Sequence, residues 1–324
     1  MLVQLFRSNQ TGVLVLLLLL VPGLFWPHFG AVPPDLSMGM PLARSVAWVW
    51  QKGAWIHGAM VLAIVTVLAI QVTVLMNETD LAVRRDHLSG LLVPLAFALA
   101  MPPGAAGAAF LGLPFVVWAM YRTWSISGGG RALGALFDAG ILLGLAALCY
   151  MPYVFLLVVV WASISAIRPF QWREYIVPVL GGLVMLYFAW AVLELMDAPF
   201  FPPLRTIPPT TFGLGPAPAG YGWTLALVLV PLLVVASLRF TTHYAKGVVR
   251  EQNVRSAFIA LSLALALLGA MVRVVTGHFP VVIVAIPAAM LAAHAFIGTR
   301  RAWVGEVAVL CLLVLALWLQ YSAS

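Results

Sequence analysis

The run AWIHGAMVLAIVTVLAIQVTVLM, from Ala54 to Met76, contains no Asp, Glu, Lys or Arg. As a helix rising 1.5 Å per residue it reaches about 35 Å, more than the roughly 30 Å hydrocarbon core of a bilayer. A helix apolar all round is either a membrane span or the centre of a large core, and the rest of the chain decides between the two. Its 324 residues are 64% hydrophobic and 8% charged, where a soluble domain is about a quarter charged, and the mean hydropathy is +1.07. Too few polar residues remain to coat a soluble globule.

Working outward from this run, ten more apolar stretches fall at 11–27, 88–102, 105–123, 132–150, 152–167, 175–196, 223–239, 257–275, 281–298 and 303–320. They predict an all-α, polytopic integral membrane helical bundle with about eleven transmembrane helices, forming one membrane domain over 1–324. The third and fourth stretches are divided by Met101-Pro102-Pro103-Gly104 and read as a tight hairpin or a re-entrant element. The fifth and sixth are divided at Tyr150-Met151-Pro152-Tyr153, where proline stops a helix. The first stretch follows Arg7 in the manner of a signal sequence, yet no small-residue cleavage site follows it, and it is read as a retained helix.

The net charge of +7 comes from seventeen Lys and Arg, scattered singly or in pairs. There is no basic stripe of the kind that binds nucleic acid. With the N-terminus inside, thirteen of the seventeen fall on inner segments and four, Arg44, Lys52, Arg205 and Arg273, on outer ones. That asymmetry predicts an N-inside, C-outside, multi-pass protein of the bacterial inner membrane. Trp26, Trp55, Trp124, Trp172, Trp223, Trp303 and Trp318 stand near predicted helix ends, as an interfacial aromatic belt requires.

Two outer loops are long. The first, 27–53, contains Asp35 and an amphipathic stretch, 42–52, with Leu42, Val46, Val49 and Trp50 on one face and Arg44, Ser45 and Lys52 toward another. Such a segment is expected to lie on the outer leaflet. The second, 196–222, has seven prolines and is expected to be extended. It reads as a cover over an outward cavity or as a stiff linker.

Ionisable residues in apolar runs are costly unless paired or hydrated. Asp138 is the main one, read as a proton- or substrate-binding carboxylate or as the structural partner of a nearby Arg. Inner polar clusters are expected around Arg84 and Arg85, and along Arg168-Pro169-Phe170-Gln171-Trp172-Arg173-Glu174. Mixed charges of this kind build either a pocket or a solvated loop end. The six histidines show no metal-ligand spacing, and Cys149 and Cys311 support neither a disulfide framework nor a zinc site. No metal site and no particular cofactor is indicated.

Leu5-Phe6-Arg7-Ser8-Asn9-Gln10, Phe137-Asp138-Ala139-Gly140 and the Arg168 to Glu174 loop resemble a family of uncharacterised polytopic inner-membrane proteins of Bacteroidetes-type bacteria. The resemblance is carried by the part of the chain before the second long loop. That family usually has an Arg-Asn pair where this chain has Arg84-Arg85-Asp86. Its members often bear the label carotene oxygenase, which implies a β-propeller with a four-histidine iron site; dispersed histidines in apolar helices cannot supply one. The layout is also similar to membrane glycosyltransferases of the GT-C type, in which an early outer-loop carboxylate serves as base or metal ligand. That resemblance implies Asp35 as the catalytic carboxylate, Arg44, Lys52 and Arg205 as phosphate ligands, and a polyprenyl-phosphate-linked sugar as donor. This chain lacks the paired carboxylate and the large outer domain usual there. The alternatives are a transporter or flippase with Asp138, Arg273 and His294 along its path, and a scaffold whose Arg168 to Glu174 loop docks a membrane-protein partner.

Overall fold

A computed structural model describes residue 6 and residues 13–36, 39–82, 86–126, 132–201, 221–277, 279–296 and 302–322. Among these there are twelve α-helices and no strand. Helix α1 is Val13–Phe25, running into a 3-10 turn, Trp26–Phe29. Then follow α2 Pro41–Trp50, α3 Ala54–Glu78, α4 Leu88–Ala100, α5 Ala108–Trp124 and α6 Leu133–Cys149. A 3-10 segment, Met151–Leu156, leads into α7 Leu157–Ile167. The remaining helices are α8 Trp172–Leu195, α9 Tyr221–Lys246, α10 Val249–Thr276, α11 Val282–Ala295 and α12 Ala302–Ser322.

Each of the eleven apolar stretches therefore holds a helix, and α2 is the additional, amphipathic one. Among the described residues five helices are long and apolar enough to cross a membrane: α3, α8, α9, α10 and α12. The chain is a multi-pass membrane protein. Among the shorter helices, α4 has 13 residues, or about 20 Å, and stops before Pro102. Its short length is tolerated because it lies inside the bundle: eleven of its residues are buried, and it packs on α1, α3, α11 and α12. Backbone that ends at membrane depth is acceptable where protein surrounds it.

Helix α8 has the reverse pattern of a soluble amphipathic helix. Glu174, Pro178 and Gly181 are buried, while Ile176, Leu180, Leu183, Phe188 and Leu195 are exposed. When lipid is the solvent, large apolar side chains face outward and small residues face protein. The partner of that stripe is α6. A Cβ on Gly140 would collide with the Pro178 backbone, one on Gly181 with the Phe137 carbonyl, and one on Gly144 would stand 2.9 Å from Met185 Cβ and 3.1 Å from the Gly182 carbonyl. The contacts advance in the same sense on both helices, so α6 and α8 run parallel, with α7 as the return.

Cross-helix bonds sort the helix termini into two ends. At one, Gln320 of α12 donates to Ala98 O and Met101 O, both at 2.8 Å, where α4 stops. Tyr321 donates to Gly23 O at 3.0 Å at the end of α1, and His28 stands beside His57 at the start of α3. At the other, Arg250 of α10 meets Asp80 at 3.7 Å, His294 Nε2 of α11 lies 3.4 Å from Leu81 O, and Arg122 of α5 pairs with Asp138 of α6.

The α6–α8 contact is backbone on backbone and cannot yield by side-chain rotation. Gly140→Leu is expected to lower stability by about 2–3 kcal/mol through overpacking, seen as a lower midpoint in thermal unfolding of the detergent-solubilised protein. Gly134→Ala, on the same helix with nothing within 4 Å of the added methyl, is expected to be neutral or to stabilise by up to about 1 kcal/mol.

Candidate functional site

The first long loop builds the α2 end. Met40 is extended and Pro41 opens α2, a favoured first position because proline has no N–H to leave unbonded. The helix covers Pro41–Trp50, with Gln51 and Lys52 in the turn that follows, so the amphipathic segment ends earlier than the 42–52 expected. Its buried stripe is also rotated, to Ala43, Ala47 and Trp50. Trp48 is 69% exposed and Val49 points outward with it. The reason is that α2 packs on α3 and α6, and a helix pressed on protein turns its small residues inward, whereas one lying on bare lipid would turn in Leu42, Val46 and Val49.

Arg44 joins the two long loops. Its Nη2 donates to Pro199 O at 2.5 Å and to Phe200 O at 3.0 Å, just after α8. Arg44 Nε is buried and has no hydrogen-bond partner among the described residues. Asp35 is exposed and accepts from Gln51 Nε2 at 3.3 Å. Lys52 Nζ sits 3.5 Å above the Trp48 ring as a surface cation–π pair. The structure thus gathers Asp35, Arg44 and Lys52 at one end, with Arg44 engaged by carbonyls. Arg205 lies outside the described residues.

Beneath α2 is a group that spacing in the sequence did not reveal. His28 and His57 are fully buried with ring centroids 5.8 Å apart. Phe25 packs on His28 at 5.5 Å, and Trp50 meets His57 edge-on at 5.1 Å. The two nitrogens of His57 and Trp50 Nε1 are buried without a hydrogen-bond partner among the described residues, and His28 has Gln320 as its hydrogen-bonding neighbour. Buried polar atoms are nearly always bonded, and exceptions call for a physical explanation. A signal was present in the sequence: His28 ends the first apolar run and His57 begins the second, so consecutive antiparallel helices bring them to one level.

At the opposite end the inner-face candidates resolve into separate contacts. Asp138 pairs with Arg122. Arg168 and Glu174 form an ion pair at 3.3 Å, with side chains 10% and 3% exposed. Trp172 is exposed, with the Arg173 guanidinium 5.6 Å from its ring. Arg255 bonds His243 O at 2.6 Å and Glu251 at 3.1 Å. His87 precedes α4, and burial holds its imidazole below the usual value, so the ring is neutral at pH 7. Arg84 and Arg85 lie outside the described residues.

Arg44→Ala is expected to release the segment after α8, raising amide hydrogen exchange at 198–201 and costing about 1.5–2 kcal/mol for the charged hydrogen bonds. Arg44→Lys recovers only part, because an ammonium lacks the planar fork that meets neighbouring carbonyls. Compared with protein-family models, with curated proteins and with solved structures, the chain matches none.

Proposed function

We propose that the chain is an inner-membrane protein of the bacterial cell envelope that acts at its α2 end as a GT-C-like transferase on polyprenyl-phosphate-linked sugars. The observation that carries this reading is the Arg44 bond to Pro199 and Phe200, which makes the two long loops one assembly over the end of the bundle. Asp35 stands on its rim as the general base. Its partner Gln51 is seven residues after Arg44, roughly 10 Å along the helix direction, a span suited to a sugar joined to a phosphate. Arg44 has Nη1 outside its two carbonyl bonds to meet a phosphate oxygen, and Lys52 and Arg205 supply further positive charge. In such a transfer Asp35 takes the proton of the acceptor hydroxyl as its oxygen bonds the sugar carbon, and the polyprenyl phosphate leaves with the electron pair. A transport path through Asp138 and His294 has less support, because Asp138 is held by Arg122 and His294 lies against backbone carbonyls.

The reading includes eleven spans with the N-terminus inside and the C-terminus outside. An alkaline phosphatase fusion after Ser324 is expected to be active, and one replacing residues after Ser125 inactive. The reverse result would invert the topology and move Asp35 to the cytoplasm.

In a deletion strain complemented at equal protein level, Asp35→Asn is expected to behave as the deletion does, accumulating lipid-linked sugar donor and losing the corresponding envelope glycan by mass spectrometry. A wild-type profile in Asp35→Asn would remove the catalytic claim.

A further inference from the structure

The His28–His57 pair is independent of Asp35 and carries a second inference. Two neutral imidazoles at full burial have two N–H donors and two nitrogen acceptors to satisfy; His57 has no hydrogen-bond partner among the described residues, and His28 has only Gln320. Leaving such groups unbonded costs about 1–3 kcal/mol each, a penalty that a core selected for stability would remove by placing Leu or Phe there. The pair is also anchored. Phe25 and Trp50 pack on the rings, and the aromatic walls hold their orientation.

The geometry of the pair suits a shared ion. Two imidazoles bound through nitrogen at about 2 Å to one metal place their ring centroids roughly 5–6 Å apart, and the observed separation is 5.8 Å. A third donor is available. Gln320 is fully buried, a polar neighbour of His28, and its Nε2 is fixed by two carbonyls. That leaves Oε1, on the other side of the amide, as the atom that meets His28. Trp50 Nε1 adds a donor next to His57, able to hold a water or anion completing the coordination. Among the described residues no group of three or more His, Cys, Asp or Glu comes together, so this donor set is two nitrogens and an amide oxygen, all neutral.

We propose that His28 and His57, with Gln320 Oε1, bind one first-row transition-metal ion beneath α2. Imidazole donors select copper, zinc, iron and nickel over magnesium and calcium. With no carboxylate or thiolate in the set, a single positive charge is less costly to bury than a double one, which favours copper(I) over zinc(II). The ion takes one nitrogen of each ring and Gln320 Oε1 as ligands, and it cross-links α1, α3 and α12 at the end where α2 packs.

The test uses the full-length protein in detergent, stripped with chelator and titrated separately with copper(I), held anaerobically against a competing chromophoric chelator, and with zinc(II). The expected result is one equivalent bound and a rise in thermal midpoint. His28→Gln and His57→Gln should each weaken binding at least a hundredfold, while His87→Gln, at the opposite end, should bind as wild type. X-ray absorption of the loaded protein should show two imidazole ligands. If neither metal reaches half an equivalent, or if the double variant His28→Gln/His57→Gln binds as wild type, the proposal is overturned, and the pair is a buried, hydrated polar contact. Should a histidine variant fail to fold, the wild-type absorption spectrum decides alone, since absence of imidazole scattering is sufficient to reject the site. Asp35→Asn is expected to bind metal normally, so failure of the transferase reading and failure of this one are separable.

Discussion

A peptide carbonyl left unbonded in hydrocarbon costs several kcal/mol, because no water is present to replace the missing donor. In a chain with so few polar side chains this constraint decides where each is used. Ala98 O would be bonded in a continuing helix by the N–H of residue 102, but residue 102 is proline. Gln320, 222 positions away, supplies the donor. Gly23 O has the same deficit, because Pro27 stands four residues on, and Tyr321 supplies the hydroxyl. Consecutive residues of α12 therefore close the ends of α4 and α1. Short, interrupted helices become tolerable only when a distant side chain completes them.

The same solvent reverses the usual logic of packing. Apolar area gains nothing by leaving lipid, so helices associate through close backbone approach and dispersion. Gly140 and Gly144 of α6 and Gly181 and Gly182 of α8 allow that approach, while the large side chains of α8 face outward. The buried Arg168–Glu174 pair ties the end of α7 to the entry of α8, and the glycine contacts set the register of α8 on α6, since slipping the helix would bring a Cβ into them.

The positions of the apolar helices were legible because a twenty-residue apolar run is a local signal. So was the amphipathic nature of α2, since its face is written in ten consecutive residues. Its orientation was not, because the sequence within 42–52 cannot say whether lipid or α6 lies beneath it. Asp138 was legible as a residue needing a partner, and Arg122 could be named only once α5 and α6 were paired. The histidines were missed for a related reason. Ligand motifs are recognised by spacing on one element, whereas His28 and His57 meet across two helices, and Gln320 joins them from the far end of the chain. A chain of eleven apolar stretches allows many packing arrangements, and spacing within one stretch does not choose among them.

The two ends of the bundle dispose of their polar groups differently, and this bears on which of them does chemistry. At the end formed by the start of α8 and α10, cations and anions neutralise each other: Arg168 with Glu174, Arg255 with Glu251, Arg250 with Asp80, Arg122 with Asp138. Of these four, Arg168–Glu174 is the one buried on both sides, where freeing either partner for a ligand leaves the other as an uncompensated charge; the half-exposed pairs of Arg122 with Asp138 and Arg250 with Asp80 are worth about 0–1 kcal/mol. At the α2 end the buried groups His28, His57, Trp50 and Gln320 form no ion pair with one another, and the charged residues Asp35, Arg44 and Lys52 stand around them bonded to an amide, to backbone carbonyls and to an indole. Arg44 and Lys52 are thus held by neutral groups, so a ligand entering there displaces neutral contacts at a cost of about 1 kcal/mol each. Occupying the paired end would instead break a salt bridge. The asymmetry between the ends therefore rests on the buried Arg168–Glu174 pair, and it holds whichever way the chain is threaded through the membrane.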